Sequence, residues 1–386
     1  MAQGTGTPKV TVAVANGNLE RQLSIADGVP GIIGTVGTAA LIGVVTTVFN
    51  YADAVAKGFT PAAEPFMNKQ IKEFYNELGG GKKLYILGCE DTMTWSQMVE
   101  ATNVKGIKYL SNAVQGEVTH VYVCYNPPTG YAVGNGFLAS DVRTAITNAK
   151  IAAASLQAIN RPVRILIEGF IASVTGAAGA AVNTYVNGYA GVVIGGSAND
   201  GHASTIALAR AVKYDVATKI GNGQKGPLSI DPMYIGSKLV TAFFPDELDG
   251  LSNAGYILPT IRDGQAGFYY GVDNMCSGDD FRILVHGSVI DKAQRIAVAE
   301  LTPLLETSVR LNQDGTIKDA DAKYIEEKVQ TALLNGMAGQ ISAARVKVPT
   351  DQNLINTSTG AVEFEILPLG YLTWIKGTIG LTSQIA

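Results

Sequence analysis

The chain has 386 residues, of which 47% are hydrophobic and only 16% are charged, and its formal net charge is −4. This length suffices for a large core, and the weak negative charge excludes the basic surface that nucleic-acid binding requires. The charged fraction is lower than usual, as expected if an assembly covers part of the surface. A compact α/β protein rich in Ala and Gly would explain the value nearly as well.

The cysteines indicate a reducing compartment, and the apolar stretches indicate neither a signal peptide nor a membrane span. Cys89, Cys124 and Cys276 form no CxxC pair, and this sparse, odd count is typical of a reducing compartment. The first residues lack the basic and apolar regions of a signal peptide, so we expect none. The longest apolar stretch, residues 31–49, is rich in Thr, Gly and β-branched residues. It predicts two short strands rather than a membrane span.

The first half of the chain predicts an arm followed by an α/β core. Residues 1–17 form the predicted N-terminal arm, because Val10, Val12 and Val14 alternate with other residues as in a strand. A core over 18–360 follows, with an α/β part at 83–225. Its predicted strands are 84–89, 118–125, 163–168 and 191–194, and its predicted helices are 64–78, 94–115 with a break near Gly106, 138–159, 177–189 and 204–217. This alternation predicts a mixed, largely parallel central sheet with helices on both faces.

The second half is less regular and ends in another arm. Helices are predicted at 231–244, 289–307 and 319–335, and two strand-like runs lie in 255–270. The C-terminal arm, residues 361–386, holds two apolar runs that contain Val362, Phe364, Ile366, Trp374, Ile375 and Ile379. Apolar strands at a terminus need a partner, because an exposed strand edge recruits other chains. Both arms therefore predict a subunit that pairs with its neighbours.

The sequence contains no complete catalytic motif and only weak candidates for catalytic residues. The glycines and lysines at 79–83 lack the first glycine and the hydroxyl of a P-loop, and they predict the end of a helix. Cys89, at the end of a predicted strand, is the best candidate nucleophile, although a buried thiol is the more ordinary interpretation. His120, His202 and His286 lie in different elements without metal-ligand spacing. We expect no catalytic residue, cofactor, nucleotide or metal.

The C-terminal third carries a recognisable order of motifs. G-F-Y-Y-G-V-D-N-M-C at 267–276 precedes D-D-F-R-I-L-V-H-G-S-V-I-D-K-A-Q-R-I-A at 279–297, and the strand pair of the C-terminal arm follows. This order resembles the C-terminal region of phage tail sheath proteins, the subunits of contractile injection machines, and a compact prophage-type sheath most of all. The conserved part spans 255–350. This chain has little room for the large outer domains that many sheath proteins carry.

The resemblance implies a structural subunit that forms stacked six-fold rings, a helical sheath, around an inner tail tube. Contraction would drive the tube through a target envelope. Implied partners are other copies of the chain, the tube protein, and baseplate and terminator proteins, with neither nucleic acid nor membrane insertion. The implied locations are the bacterial host cytoplasm during assembly and then a phage tail or contractile injection particle. The arms would add strands to the sheets of neighbouring subunits.

The resemblance further implies a strand between the aspartate-rich loop and the helix at 289–307, and a tube-facing helix at 319–335. On the latter, the apolar stripe should pack inward and leave polar residues outward: Asp321, Lys323, Glu326, Glu327, Lys328 and Gln330. Lys323, Glu327 and Lys328 are the predicted tube contacts. Two alternatives stay open at this point: an α/β enzyme that uses Cys89 or an acidic pair, and another self-assembling shell or tube protein.

Overall fold

The computed structural model describes residues 27–131, 133–134, 137–171 and 181–376. Its strands, in chain order, are β1 (Pro30–Thr35), β2 (Val45–Val48), β3 (Leu84–Cys89), β4 (His120–Cys124), β5 (Arg164–Glu168), β6 (Ala190–Val193), β7 (Tyr234–Ile235), β8 (Lys238–Leu239), β9 (Tyr256–Ile257), β10 (Pro259–Arg262), β11 (Gln265–Tyr270), β12 (Ile341–Lys347) and β13 (Glu363–Pro368). Its α-helices are α1 (Tyr51–Ala56), α2 (Pro65–Leu78), α3 (Trp95–Met98), α4 (Ile107–Ala113), α5 (Ser140–Gln157), α6 (Ile206–Lys213), α7 (Pro245–Asn253), α8 (Leu284–Leu301), α9 (Asp319–Gly336) and α10 (Leu354–Thr357).

The central sheet has seven strands in the order β2-β3-β1-β4-β5-β6-β9. All neighbouring strands are parallel except β2, which is antiparallel to β3 at the edge. Every residue of β1, β3, β4, β5 and β6 is buried, as expected of parallel strands that are covered on both faces. The predicted mixed, largely parallel α/β sheet is confirmed.

The periodic spacing of apolar residues explains which face of each helix packs on the central sheet. In α5, the buried residues include Val142, Ala145, Ile146 and Ala149, which recur every three or four positions along one side of the helix. This helix packs against α3, β5 and β6, whereas α6 packs against α2, β1 and β4. The stripe that predicts a helix at 138–159 therefore produces one of the layers over the sheet.

A second, smaller core lies in the C-terminal part. Apolar residues of α8, α9 and β12 form it, including Val289, Ile296, Val329, Leu333 and Val346. Strands β12 and β13 pair antiparallel and cover one side of this cluster. Because α8 also contacts β5 of the central sheet, it belongs to both layers of packing.

Buried polar contacts join α8 to the amino ends of the central strands. The guanidinium of Arg295 donates to the backbone carbonyls of Gly116, Val118 and Pro162, at 2.8, 3.2 and 2.8 Å. The ring of His120 lies 2.9 Å from the Ser288 hydroxyl. Burial lowers the pKa of His120 to about 3, so this histidine is a neutral structural residue.

Two predicted helices are wrong. Residues 231–244 form the β7–β8 pair and a single 3-10 turn, because Gly236, with φ +59°, supplies the turn between the strands. Of the helix predicted at 177–189, residues 177–180 lie outside the described chain, and the rest forms only one 3-10 turn over Asn183–Tyr185.

Two strand assignments also differ from prediction. The strand implied before the helix at 289–307 does not form, because α8 already begins at Leu284 and only Ile283 makes a single bridge, to Asn274. Strand β12 was not predicted. A register irregularity between Ile341 and Ala343 breaks its alternation, which hides the pattern of a half-buried strand.

Candidate assembly surfaces

The first half of the predicted C-terminal arm forms a strand within its own chain. In the β12–β13 pair, Ala344 lies opposite Ile366 and Val346 opposite Phe364. Val362 and Ile366 pack against the second core, whereas Phe364 keeps 41% of its surface exposed. One edge of β13 is thus paired internally, and its role between subunits stays a prediction.

The second half of that arm is anchored through Tyr371 and Thr373, and its apolar side chains are exposed. The Tyr371 hydroxyl donates to the Ala217 carbonyl at 2.9 Å, and the Lys219 ammonium lies 5.6 Å from the tyrosine ring centroid. Beyond it, residues 372–376 form no strand, and Trp374 and Ile375 are 76% and 82% exposed. An exposed apolar run of this kind is typical of an interaction segment.

The other predicted arm residues lie outside the described chain: Val10, Val12, Val14 and Ile379. Asp27, the first residue that the structure describes, pairs through its carboxylate with the Lys292 ammonium on α8. The same ammonium donates to the Gln340 side chain at 2.9 Å, one residue before β12. Asp27 therefore lies close to the start of β12.

The outer edge of β12 is bonded by side chains of α9. Glu326 accepts a hydrogen bond from the backbone N–H of Val348 at 2.8 Å, and Gln330 accepts one from that of Val346 at 3.2 Å. The prediction that Glu326 and Gln330 face outward is wrong. Their carboxylate and amide oxygens accept hydrogen bonds from backbone N–H groups of β12 that β13 does not reach. The position of apolar residues on α9 gives no information about these backbone donors.

The three predicted tube contacts on α9 differ in their exposure to solvent. Lys323 and Glu327 are exposed. Lys328 is instead half-buried and directed at α8, where its ammonium donates to the Glu300 carbonyl at 3.0 Å and lies 3.5 Å from the Glu300 carboxylate. It is therefore not an outward charge. The outward face is also more apolar than predicted, because Tyr324 is 60% exposed.

The usual ligand crevice of a doubly wound sheet is occupied by the chain itself. Strand order reverses between β1 and β4, and ligands bind at the carboxyl ends of strands at such a point. Here the buried Glu64 carboxylate accepts hydrogen bonds from the backbone N–H groups of Gly37 and Thr38, at 3.0 and 2.6 Å. The donors that follow β1 are thus already paired with an internal anion.

Candidate catalytic groups nearby are also engaged or inert. Glu168, at the end of β5, accepts hydrogen bonds from the Trp95 indole and the Tyr125 backbone, both at 3.0 Å, and lies 2.9 Å from the His202 ring. Burial alone would lower the pKa of His202, but the Glu168 charge outweighs it and raises that pKa. Burial raises the pKa of Cys89 to about 12, so its thiol lacks nucleophilic character near neutral pH.

The described ranges lack two kinds of feature. Within them, no group of three or more His, Cys, Asp and Glu side chains could hold a metal ion. No helix in the same ranges is long and apolar enough to cross a membrane.

Family models identify the chain. The model described as DUF2586, N-terminal domain matches residues 7–274, and the model described as DUF2586, C-terminal domain matches residues 280–386. The chain belongs to the DUF2586 family. No curated protein sequence matches this DUF2586 chain significantly.

Solved structures share the fold of this DUF2586 chain. The contracted helical sheath of the anti-feeding prophage is 16% identical, with 99% of this chain and 100% of that chain covered and a TM-score of 0.62. The contracted sheath complex of the extracellular contractile injection system PVC is 12% identical, with 99% of each chain covered and a TM-score of 0.61. The anti-feeding prophage baseplate contains a chain that is 17% identical, with coverage of 98% and 100% and a TM-score of 0.60.

These matches extend the likeness from the C-terminal third to nearly the whole chain. The predicted resemblance to contractile sheath proteins is confirmed at the level of the fold.

Proposed function

We propose that this protein is the structural subunit of a contractile sheath, which polymerises helically around an inner tube and contracts to drive the tube through a target envelope. The full-length fold match to chains that form contracted helical sheaths is the observation that carries the proposal. The exposed apolar run after Tyr371 supports it, because such a run is unfavourable in a permanently free subunit.

The partners follow from the same proposal. Copies of the chain would stack as six-fold rings, and the inner tube protein, a baseplate and a terminator would complete the particle, without nucleic acid or membrane insertion. The subunit would assemble in the bacterial host cytoplasm and then reside in a phage tail or contractile injection particle. The baseplate chain with the same fold supports contact with that part of the machine.

We further propose that the subunit is not an enzyme and that the work of contraction comes from folding and assembly energy. The internal pairing of Glu64 with the donors after β1 supports this, because a nucleotide phosphate would have to displace a buried carboxylate. The raised pKa of Cys89 argues in the same direction.

The terminal arms are proposed to join subunits by strand addition, through Val10, Val12 and Val14 at one end and Trp374, Ile375 and Ile379 at the other. The outward face of α9 is proposed to contact the tube through Lys323 and Glu327. Lys328 contributes less to this contact, because its ammonium is already bonded to Glu300.

Purified protein tests the proposal by sedimentation and negative-stain electron microscopy, without any added nucleotide or metal. We expect long tubes with a helical surface. Small closed oligomers would instead favour an enzyme, and closed particles would favour a shell. A protein that stays monomeric at high concentration and in crowded buffer would contradict the proposal.

A further inference from the structure

The C-terminal arm is held at its base by one lysine of the α/β body. The Lys219 ammonium donates to the Thr373 hydroxyl at 3.4 Å and lies 5.6 Å from the centre of the Tyr371 ring. Leu372, which lies between these two residues, is 89% exposed. The arm therefore contacts Lys219 on both sides of Leu372, and its exposed apolar run continues directly after this contact.

Lys219 is itself fixed, because its ammonium pairs with a buried carboxylate. It lies 3.2 Å from the Asp273 carboxylate, whose side chain is fully buried, and the lysine side chain is only 14% exposed. The other oxygen of that carboxylate accepts the Val285 N–H at 3.3 Å, and the Asp273 carbonyl accepts the Leu284 N–H at 2.9 Å. Asp273 thus binds both the start of α8 and Lys219. A buried carboxylate needs its counter-charge, so the lysine has little freedom to turn elsewhere.

The loop that carries Lys219 also offers a hydrogen-bond acceptor to the arm. Within this loop, the Asp215 carboxylate accepts hydrogen bonds from the Ala217 N–H and the Thr218 hydroxyl, both at 3.0 Å. The Ala217 carbonyl then accepts the Tyr371 hydroxyl at 2.9 Å. Burial, reinforced by nearby carboxylates, raises the pKa of Tyr371 to about 12. The hydroxyl therefore keeps its proton and remains a donor at neutral pH.

We infer that Lys219 is a positioning residue, which fixes the direction in which the C-terminal arm leaves the subunit. Its ammonium holds Thr373 and the ring of Tyr371 from a place that the buried carboxylate determines. An arm with a fixed base loses less conformational entropy when its exposed run, Trp374 and Ile375, contacts a neighbouring subunit. This consequence for assembly rests on the proposed sheath function, whereas the fixed direction is a property of the free subunit.

Two paired variants remove this contact from opposite sides. Tyr371→Phe combined with Thr373→Val removes both hydroxyls of the arm and leaves the buried ion pair intact. Lys219→Met combined with Asp273→Asn removes both charges of that pair, so that no carboxylate is left buried without a partner. Lys72→Met removes one exposed positive charge elsewhere on the subunit and is the matched control. Urea unfolding first shows that each variant folds cooperatively.

Distances between two spin labels measure the direction of the arm in the free subunit. The native cysteines are buried, so the labels attach at Ile375→Cys on the arm and Ile151→Cys on α5, both at exposed positions. We expect a narrow distance distribution in the labelled parent and in Lys72→Met. Both paired variants should give a distribution about twice as broad, because an arm without its anchor behaves as a flexible linker. A broad distribution in the parent, or a narrow one in either paired variant, would overturn the inference.

Tube formation by the unlabelled proteins tests the consequence for assembly. We expect both paired variants to need an about tenfold higher protein concentration than the wild type, because the arm must then be ordered on binding. Lys72→Met should form tubes at the wild-type concentration. Unchanged tube formation by the paired variants would show that assembly does not use the fixed direction, and would contradict this consequence. A wild-type protein without tubes would remove the sheath proposal, and the distances alone would then decide whether Lys219 positions the arm.

Discussion

Arg164 on β5 and Asp291 on α8 form a buried, two-bonded ion pair. The guanidinium Nε lies 2.7 Å from Oδ2 and a terminal nitrogen lies 2.6 Å from Oδ1. Both side chains are at most 7% exposed, and the guanidinium also donates to the Gly188 carbonyl at 2.8 Å. The pair ties the central sheet to the helix that carries the second core.

Removing one partner of this pair should destabilise the subunit strongly. Asp291→Ala leaves a buried guanidinium without its counter-charge, and we expect a loss of about 3–5 kcal/mol in the free energy of unfolding. Urea unfolding of the free subunit measures it. Arg164→Met combined with Asp291→Leu removes both charges and should lose much less. Equal losses for the single and the double variant would show that packing, and not charge, is responsible.

The Glu168–His202 pair predicts a pH dependence of stability. The folded pKa of His202 is raised above its usual value of 6.5. The pair therefore stabilises the protein fully below about pH 6.5, and this contribution is lost as the pH rises through the higher folded pKa. We expect His202→Gln to lower the unfolding midpoint clearly at pH 6 and much less at pH 9.

Unfolding curves of the wild type and His202→Gln at several pH values check this sign. His286→Gln is the matched control, because His286 is partly exposed near the start of α8, where its ring lies 2.9 Å from the Asp280 carbonyl and 6.3 Å from the centre of the Tyr371 ring. A difference between the wild type and His202→Gln that grows with pH would contradict the assignment.

The C-terminal arm should tolerate truncation at one place and not at another. A chain that stops after Tyr371 keeps β13, the packing of Val362 and Ile366, and the Tyr371 bond to Ala217. A chain that stops after Thr359 loses all of them. We expect the first to unfold like the full chain yet form fewer tubes, and the second to lose stability. Thermal unfolding and negative-stain images distinguish these outcomes; normal tubes from the first chain would show that residues 372–386 are dispensable.

The regular parts of the fold could be predicted from the sequence, whereas edges and side-chain bonds could not. The apolar run at 84–89 and the apolar stripe of α5 can be recognised from the spacing of apolar residues along the sequence alone. Strand β12 escapes the same reasoning because its register shifts after Ile341. Glu326 appears outward in a helical projection, since a projection shows the apolar residues of one helix and not the backbone donors of the strand that follows it.

Some features of the candidate sites could be predicted from the sequence, and others depend on contacts between distant residues. Trp374 and Ile375 lie in an apolar run for which the sequence predicts a partner in another subunit, and both are exposed in this chain. Lys328 points inward because its ammonium pairs with Glu300 on α8. The spacing of residues along α9 cannot show that a residue of another helix lies close to Lys328. Closure of the β1–β4 crevice likewise depends on Glu64, which is 27 residues from the Gly37 donor that it binds.

Charge reversal on the outward face of α9 tests the proposed tube contact. Lys323→Glu combined with Glu327→Lys exchanges the two exposed charges and leaves the net charge unchanged, so the subunit should keep its stability. We expect this variant to polymerise but to form empty or contracted sheaths when it is mixed with the tube protein, because charges that faced opposite partners now face like ones. Lys328→Gln is the control: it breaks the contact with Glu300 inside the subunit, lowers stability slightly and reduces tube loading much less than the exchanged pair does. Electron microscopy of particles assembled with the tube measures the filled fraction. Fully loaded, extended particles from the exchanged variant would place the tube contact on another face of the subunit.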